Sequence, residues 1–268
     1  MPRVRFTDDR ARDQLRERPF ELLRDGRRVP GVLWTPPQAS GPFPLVLIGH
    51  GGAGSKYQSH VVAVARGLAQ RHGVASAALD GPVHGERRSD PDAPGALVLM
   101  QFAQLWANDG DAMTDAMVAD WRAVLDALGA LPDFAGMPVG WWGLSLGTIL
   151  GLPLVAAEPR IAAAVLGHMG LTGPTRERIA RDAPAVRCPA LYLLQWDDEM
   201  FDRADSLALF GALGSADKRL HAFPGGHGEL PDEGFVDSVT FLADRLLPPP
   251  GPRGPQGPTT RAPGSAGG

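Results

Sequence analysis

Cysteine is almost missing from this chain. One residue in 268 is a cysteine, Cys188, so no internal disulfide can form and a reducing compartment is compatible. Long apolar runs are missing too, which excludes a helical membrane span. The first ten residues, Met1 to Arg10, have no apolar stretch and mix acids with arginines, so they read as neither a signal peptide nor a transit peptide. No excess of positive charge is present. Lys and Arg number 26 against 30 Asp and Glu, for a net charge of -4. That offers no electrostatic footing for nucleic acid or an anionic membrane. H-E-x-x-H, C-x-x-C and comparable ligand clusters are absent, so no metal is expected. The expectation is a soluble, cytoplasmic protein with no nucleic-acid, membrane or metal partner. Nothing in the sequence specifies an oligomeric state.

What is present is a large apolar fraction, 44%, enough for one sizeable core. Residues 1–18 are charged and read as a helical or frayed N-terminal segment. Phe20 to Leu23 and Val29 to Trp34 flank Asp25-Gly26, a dipeptide suited to a tight hairpin turn. Short apolar runs end at Ile48, Leu79, Trp142, Leu166, Leu194 and Ala222 and read as strands. Helical patterns run from about His60 to Arg71, Gly95 to Trp106, Ala112 to Leu131, Thr148 to Ala157, Asp205 to Leu213 and Phe235 to Leu247. In the third region Met113, Met117, Trp121 and Leu125 recur every four residues, as one face of a helix requires. Strands alternating with helices imply an α/β fold, a mostly parallel central sheet with helices on both faces and the antiparallel N-terminal hairpin at its edge. One domain covers residues 19–247, with short insertions at about 88–110 and 167–187. Residues 248–268 turn abruptly to Pro, Gly, Ser and Thr, cannot bury a core, and are expected to be disordered.

The chemistry centres on Gly143-Leu144-Ser145-Leu146-Gly147. An apolar strand precedes it and an apolar helix follows, the setting of a nucleophile elbow. Such a turn is so tight that a Cβ two residues before or after the serine would strike backbone. A serine hydroxyl needs a base, and the base needs an orienting acid. In elbow enzymes the chain order is serine, acid, histidine. Downstream of Ser145 stand Asp197 and Asp198, just past one strand, then His227 in a glycine-rich loop past the last. His221 competes, but it lies inside that last strand and reads as a strand residue. His168, just past another strand, could border the site. Oxyanion stabilisation requires two N–H donors. Leu146, next after the nucleophile, supplies one. The loop His50-Gly51-Gly52-Ala53 supplies the other, Gly52 being favoured over Gly51 and Ala53, with His50 bracing the loop.

The same loop, Gly49-His50-Gly51-Gly52-Ala53-Gly54, also matches G-x-G-x-x-G, and Asp80 ends the next strand as a ribose-binding carboxylate would. A hairpin precedes the strand, however, and a dinucleotide site leaves Ser145, the aspartates and His227 unexplained. No cofactor is expected.

Together these residues resemble the α/β-hydrolase family, in its dienelactone-hydrolase-like and small serine esterase branch. The resemblance spans about Phe20 to Leu247. It rests on Gly49-His50-Gly51-Gly52, the Ser145 pentapeptide, the acids after Gln195, Gly226-His227-Gly228, and Asp80 to Arg87, which looks like that branch's D-x-x-x-H-G-x-R loop. It implies the α/β-hydrolase fold. In the family the acid commonly falls three residues after a strand-ending glycine. Gln195 holds that position here, which implies Asp198 and leaves Asp197 as the alternative. Dienelactone hydrolases use cysteine as nucleophile. This chain has Ser145, so a dienelactone substrate is not implied, whereas hydrolysis of a small-molecule carboxylic ester is. Ser145, His227 and Asp198 would then form a catalytic triad. A thioesterase, peptidase or acyltransferase on the same fold is the alternative, and a non-catalytic ligand-binding module a further one. Substrate choice is expected to come from the insertions, with Met100, Trp106 and His168 as substrate-binding candidates.

Overall fold

The structure, a computed structural model, describes residues 3–12, 14–37 and 39–248. The stretch from 249 onwards, read from sequence as a disordered tail, lies outside the described residues. Among those described, ten strands make one sheet. They are β1 (Arg5–Phe6), β2 (Arg10–Arg12), β3 (Leu15–Arg24), β4 (Arg27–Thr35), β5 (Leu45–Gly49), β6 (Ala75–Leu79), β7 (Val139–Gly143), β8 (Ile161–Gly167), β9 (Ala190–Gln195) and β10 (Lys218–Phe223). The order across the sheet is β1-β3-β4-β6-β5-β7-β8-β9-β10, with β2 also on β3. From β6 to β10 all pairings are parallel. The chain moves from β5 to β6 on one side and returns to β7 on the other. That reversal opens a crevice at the carboxyl ends of β5 and β7, where ligands bind in sheets of this kind.

Among the described residues six helices cover the sheet: α1 (Ser59–His72), α2 (Gly95–Gly129), α3 (Leu146–Ala157), α4 (Arg176–Asp182), α5 (Arg203–Ala212) and α6 (Asp232–Leu246). Strand alternation divides the core into two layers. Trp141 and Trp142 are neighbours in β7 and point to opposite faces. Trp141 packs with α2 and α3, and Trp142 with α1 and α6. β5, β6 and β7 are buried along their whole length, as interior parallel strands covered on both sides must be. Helix α1 stops at Gly73, which takes φ 67. Its N–H donates to the Ala69 carbonyl and the Val74 N–H to the Leu68 carbonyl, closing the last turn in a left-handed cap.

The N-terminal segment differs from the helical or frayed expectation. β1 and β2 join the sheet as edge strands against β3, whose first residues are paired on both sides, with β2 and with β4. Their charges misled the reading because they pair across the strands: Arg5 with Glu21, Arg10 with Glu17 at 2.7 Å, Arg16 with Asp9 at 2.6 Å. Glu17 also accepts from the indole of buried Trp34 at 2.9 Å. The Asp25-Gly26 turn behaves as expected, with φ of 51 and 75. The two helical patterns around residue 109 meet in one element, α2, broken at Asp109 (φ −162, ψ 78). The Asp109 carboxylate accepts from the Ala112 N–H at 2.9 Å and so caps the second half as it begins. The two insertions pack together. The Trp106 indole donates to the Pro174 carbonyl at 3.0 Å, and just beyond the first insertion Asp115 of α2 pairs with Arg178 of α4 at 2.8 Å. No helix among the described residues is long and apolar enough to cross a membrane.

Trp121 of α2 meets Trp141 edge to face, with ring centroids 5.3 Å apart at 88°. Both are fully buried. Trp121→Ala is expected to cost about 3–5 kcal/mol by cavity formation, read as a lower urea midpoint with an unchanged slope. A loss below 1 kcal/mol would show that α2 does not depend on this contact.

Candidate active site

Gly49 ends β5, Gly143 ends β7, and the two are register partners. Helix α3 then starts directly over their ends. A Cβ on Gly143 would stand 2.7 Å from the Gly147 carbonyl oxygen, and a Cβ on Gly147 would stand 2.9 Å from that of Gly49. Real Cβ atoms do not approach that closely, so the pentapeptide's glycines are required by contact. Ser145, at the top of the turn, takes φ 55 and ψ −118. That is costly for a residue with a side chain, roughly 1–3 kcal/mol. Surrounding bonds hold it there. The Ser145 N–H donates to the Gly167 carbonyl at 3.0 Å. The Thr148 hydroxyl lies 2.9 Å from the Gly143 carbonyl and 2.8 Å from that of Gly167, and accepts from the Gly167 N–H at 2.8 Å.

His227 Nε2 lies 2.9 Å from Ser145 Oγ, and His227 Nδ1 lies 2.9 Å from Asp198 Oδ2. Three side chains from three strand ends therefore form one hydrogen-bonded chain. With Asp198 accepting from Nδ1–H, Nε2 is left as the basic nitrogen facing the serine. The other Asp198 oxygen accepts N–H bonds from Met200 at 2.8 Å and Phe201 at 3.0 Å, and the side chain is 4% exposed. Asp197 faces away and only approaches the Gly225 N–H, at 3.4 Å. His221 sits on the outer surface against Asp237 at 3.1 Å. Two carboxylates that the sequence reading passed over hold the histidine loop. Glu199 accepts the His227 N–H and Glu229 the Gly226 N–H, both at 2.8 Å. The His227 N–H holds the Glu199 carboxyl below its ordinary range. Buried Gln195, at the position where the resemblance has glycine, donates to the Gly226 carbonyl at 3.2 Å.

Across the crevice, the loop after β5 is braced by histidines. His50 Nδ1 donates to the Gly51 carbonyl and Nε2 accepts from the Gly81 N–H, both at 2.8 Å. The Gly51 N–H donates to the Gln58 side chain at 2.9 Å and the Ala53 N–H to His84 Nε2 at 3.1 Å. Of the three candidate donors in this loop, two are committed, and Gly52 has no acceptor among the described residues. Leu146 is the first residue of α3, where an N–H has no carbonyl one turn back to meet it.

Asp80 is fully buried. It accepts from Lys56 Nζ at 2.6 Å, from the Lys56 N–H at 2.8 Å and from the Glu86 N–H at 3.0 Å. Its oxygens tie two loops together, and none is presented to a ribose. Arg87 pairs with Asp120 and Arg88 with the Ala53 carbonyl, each at 2.8 Å.

The crevice is a cleft of about 470 Å³ that includes Ser145, His227, Gly52 and His168. A larger hollow of about 730 Å³ opens at the amino ends of β5 and β7, around Leu45 and Pro138. It is at the wrong end of the sheet for this chemistry. His168 follows β8 with φ 48, is 6% exposed, and sets its ring edge-on to that of His227 at 5.7 Å.

A cold-adapted esterase from an Arctic intertidal metagenomic library, solved with bound PEG, is 43% identical to this chain. The match covers 90% of this chain and 98% of that one, with a TM-score of 0.79. The chain belongs to the α/β-hydrolase family, among its esterases. A native structure of a cold-adapted esterase from such a library matches at 40% identity over 90% of this chain and 98% of that one, with a TM-score of 0.74. A dienelactone hydrolase from Anabaena variabilis shares the fold at 21% identity and a TM-score of 0.63, over 87% and 97% of the two chains. No protein-family model matches the chain, and no curated protein matches it.

Two candidates named from the sequence of this hydrolase lie outside the cleft. Met100 is 61% exposed. Its helix neighbour Leu99 lines the cleft instead, because adjacent helical residues differ by a 100° turn and the pattern was read one residue out of phase. Trp106 is 6% exposed and packs with Phe102 in the core. Its place in the first insertion made it a pocket candidate, and the second insertion packs over it, with the Pro174 carbonyl on its indole N–H. His60 and Met200 do line the cleft. No motif marked either one.

Burial pushes His50, His60 and His168 each down to about 4. All three stay neutral when folded, while the unfolded chain protonates them near pH 6.5. Between about pH 4 and 6.5 the unfolded state therefore binds more protons. Stability is complete above that window and falls as pH drops through it, by up to about 1.4 kcal/mol per pH unit for each imidazole. Urea midpoints measured from pH 7.5 to 5 should decline accordingly. A flat profile would contradict the burial of these rings.

Proposed function

We propose that this protein is a serine carboxylic-ester hydrolase working through an acyl-enzyme. The observation that carries the proposal is the unbroken Ser145–His227–Asp198 chain, with both links at 2.9 Å. Ser145 Oγ attacks the ester carbonyl as His227 Nε2 takes its proton. The Leu146 and Gly52 N–H groups receive the developing oxyanion, and each is worth roughly 100- to 1000-fold in turnover. His227 then protonates the leaving alcohol. Water enters, gives a proton to the same nitrogen and attacks the acyl carbonyl, and His227 returns that proton to Ser145 Oγ as the acid leaves. Asp198 keeps the imidazole in the productive tautomer and stabilises its cation. The 40–43% identical esterases support ester hydrolysis as the reaction class.

A fluorophosphonate probe should label the wild type and leave Ser145→Ala unlabelled. An unlabelled, well-folded wild type would overturn the proposal. On p-nitrophenyl acetate, Asp198→Asn should lower kcat by about 10⁴-fold, whereas Asp197→Asn should stay within a few-fold. The reverse ranking would move the acid to Asp197. Running thioester and anilide substrates beside the ester tests the reaction class, and faster turnover of either would displace the ester assignment.

Gly147→Ala drives a Cβ to 2.9 Å from the Gly49 carbonyl oxygen, moving the elbow relative to the oxyanion loop. Displacements of this kind, of about 1 Å or less, cost on the order of 100-fold. The expected result is a loss of kcat larger than any rise in KM. Unchanged turnover would show that the close approach is not needed.

A further inference from the structure

One side chain closes the crevice beside the loop donor of the proposed chemistry. A Cβ on Gly52 would stand 2.9 Å from Leu99 Cδ2. Apart from the residues adjoining Gly52 in the chain, no other atom of the described residues lies within 4 Å of that point. Leu99 and Gly52 both line the cleft that contains Ser145. Leu99 is 43% exposed, so it is a wall at the mouth and not part of the core. The helix holds it there. Val98 and Phe102, on the inner side of α2, are buried. Phe102 packs against His84 with ring centroids 5.8 Å apart, and His84 takes the Ala53 N–H. A Cβ on Gly95 would lie 3.1 Å from that of Ala53. The start of α2 is thus docked on the loop after β5, which fixes Leu99 against Gly52.

The proposed reaction decides which half of an ester meets this wall. The carbonyl oxygen faces the Gly52 and Leu146 N–H groups. The leaving oxygen faces His227 Nε2, because that nitrogen protonates it. The bond to the acyl α-carbon then points away from His227, towards the loop after β5 and Leu99. The alcohol half lies along the opposite wall, where Met200 lines the cleft. Contact at Leu99 is hydrocarbon. Gln58 gives its side-chain oxygen to the Gly51 N–H at 2.9 Å, and Ser59 is exposed at the start of α1. Both line the cleft, but neither comes within 4 Å of the Cβ position at Gly52. No Lys, Arg, Asp or Glu of the described residues lines the cleft, so a charge on the acyl group finds no counter-charge. A straight chain presents only hydrogens at the sides of its α-carbon. Each methyl group added there is pressed against Leu99.

We infer that Leu99 is a specificity residue that selects against branching at the acyl α-carbon. The inference rests on the esterase reading and adds a substrate class to it: esters of uncharged acids that are unbranched next to the carbonyl.

The test uses p-nitrophenyl butyrate, isobutyrate and pivalate on the full-length enzyme. They share a leaving group and differ in branching at the acyl α-carbon. Values of kcat/KM are corrected for the esters' own alkaline hydrolysis rates. The wild type is expected to favour butyrate over pivalate by about 100-fold, since one methylene in an apolar site is worth roughly 10- to 200-fold. Leu99→Ala is expected to bring that ratio below about 10, by raising pivalate turnover with butyrate little changed. General damage to the fold does not raise the turnover of one ester. Met100→Ala, next along the helix and outside the cleft, should leave the ratio in place. Butyl acetate against sec-butyl acetate reads the alcohol half, and that ratio should not respond to Leu99→Ala. Should the alanine variant fail to fold, Leu99→Phe carries the test, with the preference for butyrate over isobutyrate expected to rise. A wild-type ratio near one would overturn the inference and leave the esterase reading standing. So would a ratio unmoved in the folded Leu99 variants, moved equally by Met100→Ala, or moved only for the alcohol pair. If none of the esters is cleaved and the fluorophosphonate leaves the wild type unlabelled, the esterase reading itself falls.

Discussion

The rest of the site depends on a contact between backbones. Helix α3 begins directly against the end of β5, with Gly147 over the Gly49 carbonyl and Gly143 beneath the Gly147 carbonyl. No side chain fits between them. This contact places Ser145 at the crevice formed where the chain reverses direction across the sheet. It also sets the first N–H groups of α3 opposite the loop after β5. Move α3 outward by the width of a methyl group, and the serine, the helix terminus and the loop after β5 no longer face one point.

Strain at that point is balanced by bonds around it. Ser145, Ala53 and His168 all take positive φ, and all lie in the loops that shape the cleft. Each is anchored through its own N–H: Ser145 on the Gly167 carbonyl, His168 on that of Leu193, and Ala53 on the His84 ring. The histidine loop is held by a different device. Asp198, Glu199 and Glu229 take its imidazole and two of its backbone N–H groups, and Gln195 takes a carbonyl. A loop rich in glycine has little intrinsic preference for one shape. These four side chains impose one.

Much of this was readable in the chain before it was folded. The alternation of apolar runs foretold the strands from β3 onward and every helix but α4. The Asp25-Gly26 turn and the Ser145 pentapeptide carry local rules strong enough to read directly, because their geometry depends on residues a few positions apart. The readings that failed involve distance. Residues 1–18 looked helical or frayed because the charges of Arg5, Arg10 and Arg16 find their partners only across strands, at Glu21, Glu17 and Asp9. Met100 and Leu99 are one residue apart, and only the docking of α2 says which of them turns to the cleft. Trp106 looked like a pocket residue until the second insertion closed over it.

By itself the sequence determined the order of elements, the serine at the elbow, and a histidine and acidic pair downstream. Composition and spacing along the chain suffice for these. Only the tertiary structure decided that Asp198 and not Asp197 meets His227, that Gly52 is the uncommitted donor of its loop, and that Asp80 holds Lys56 rather than a ribose. It alone brought His60 and His168 to either side of one cleft. Each of those outcomes turns on which way a side chain or an N–H points, and direction is set by packing between residues far apart in the chain.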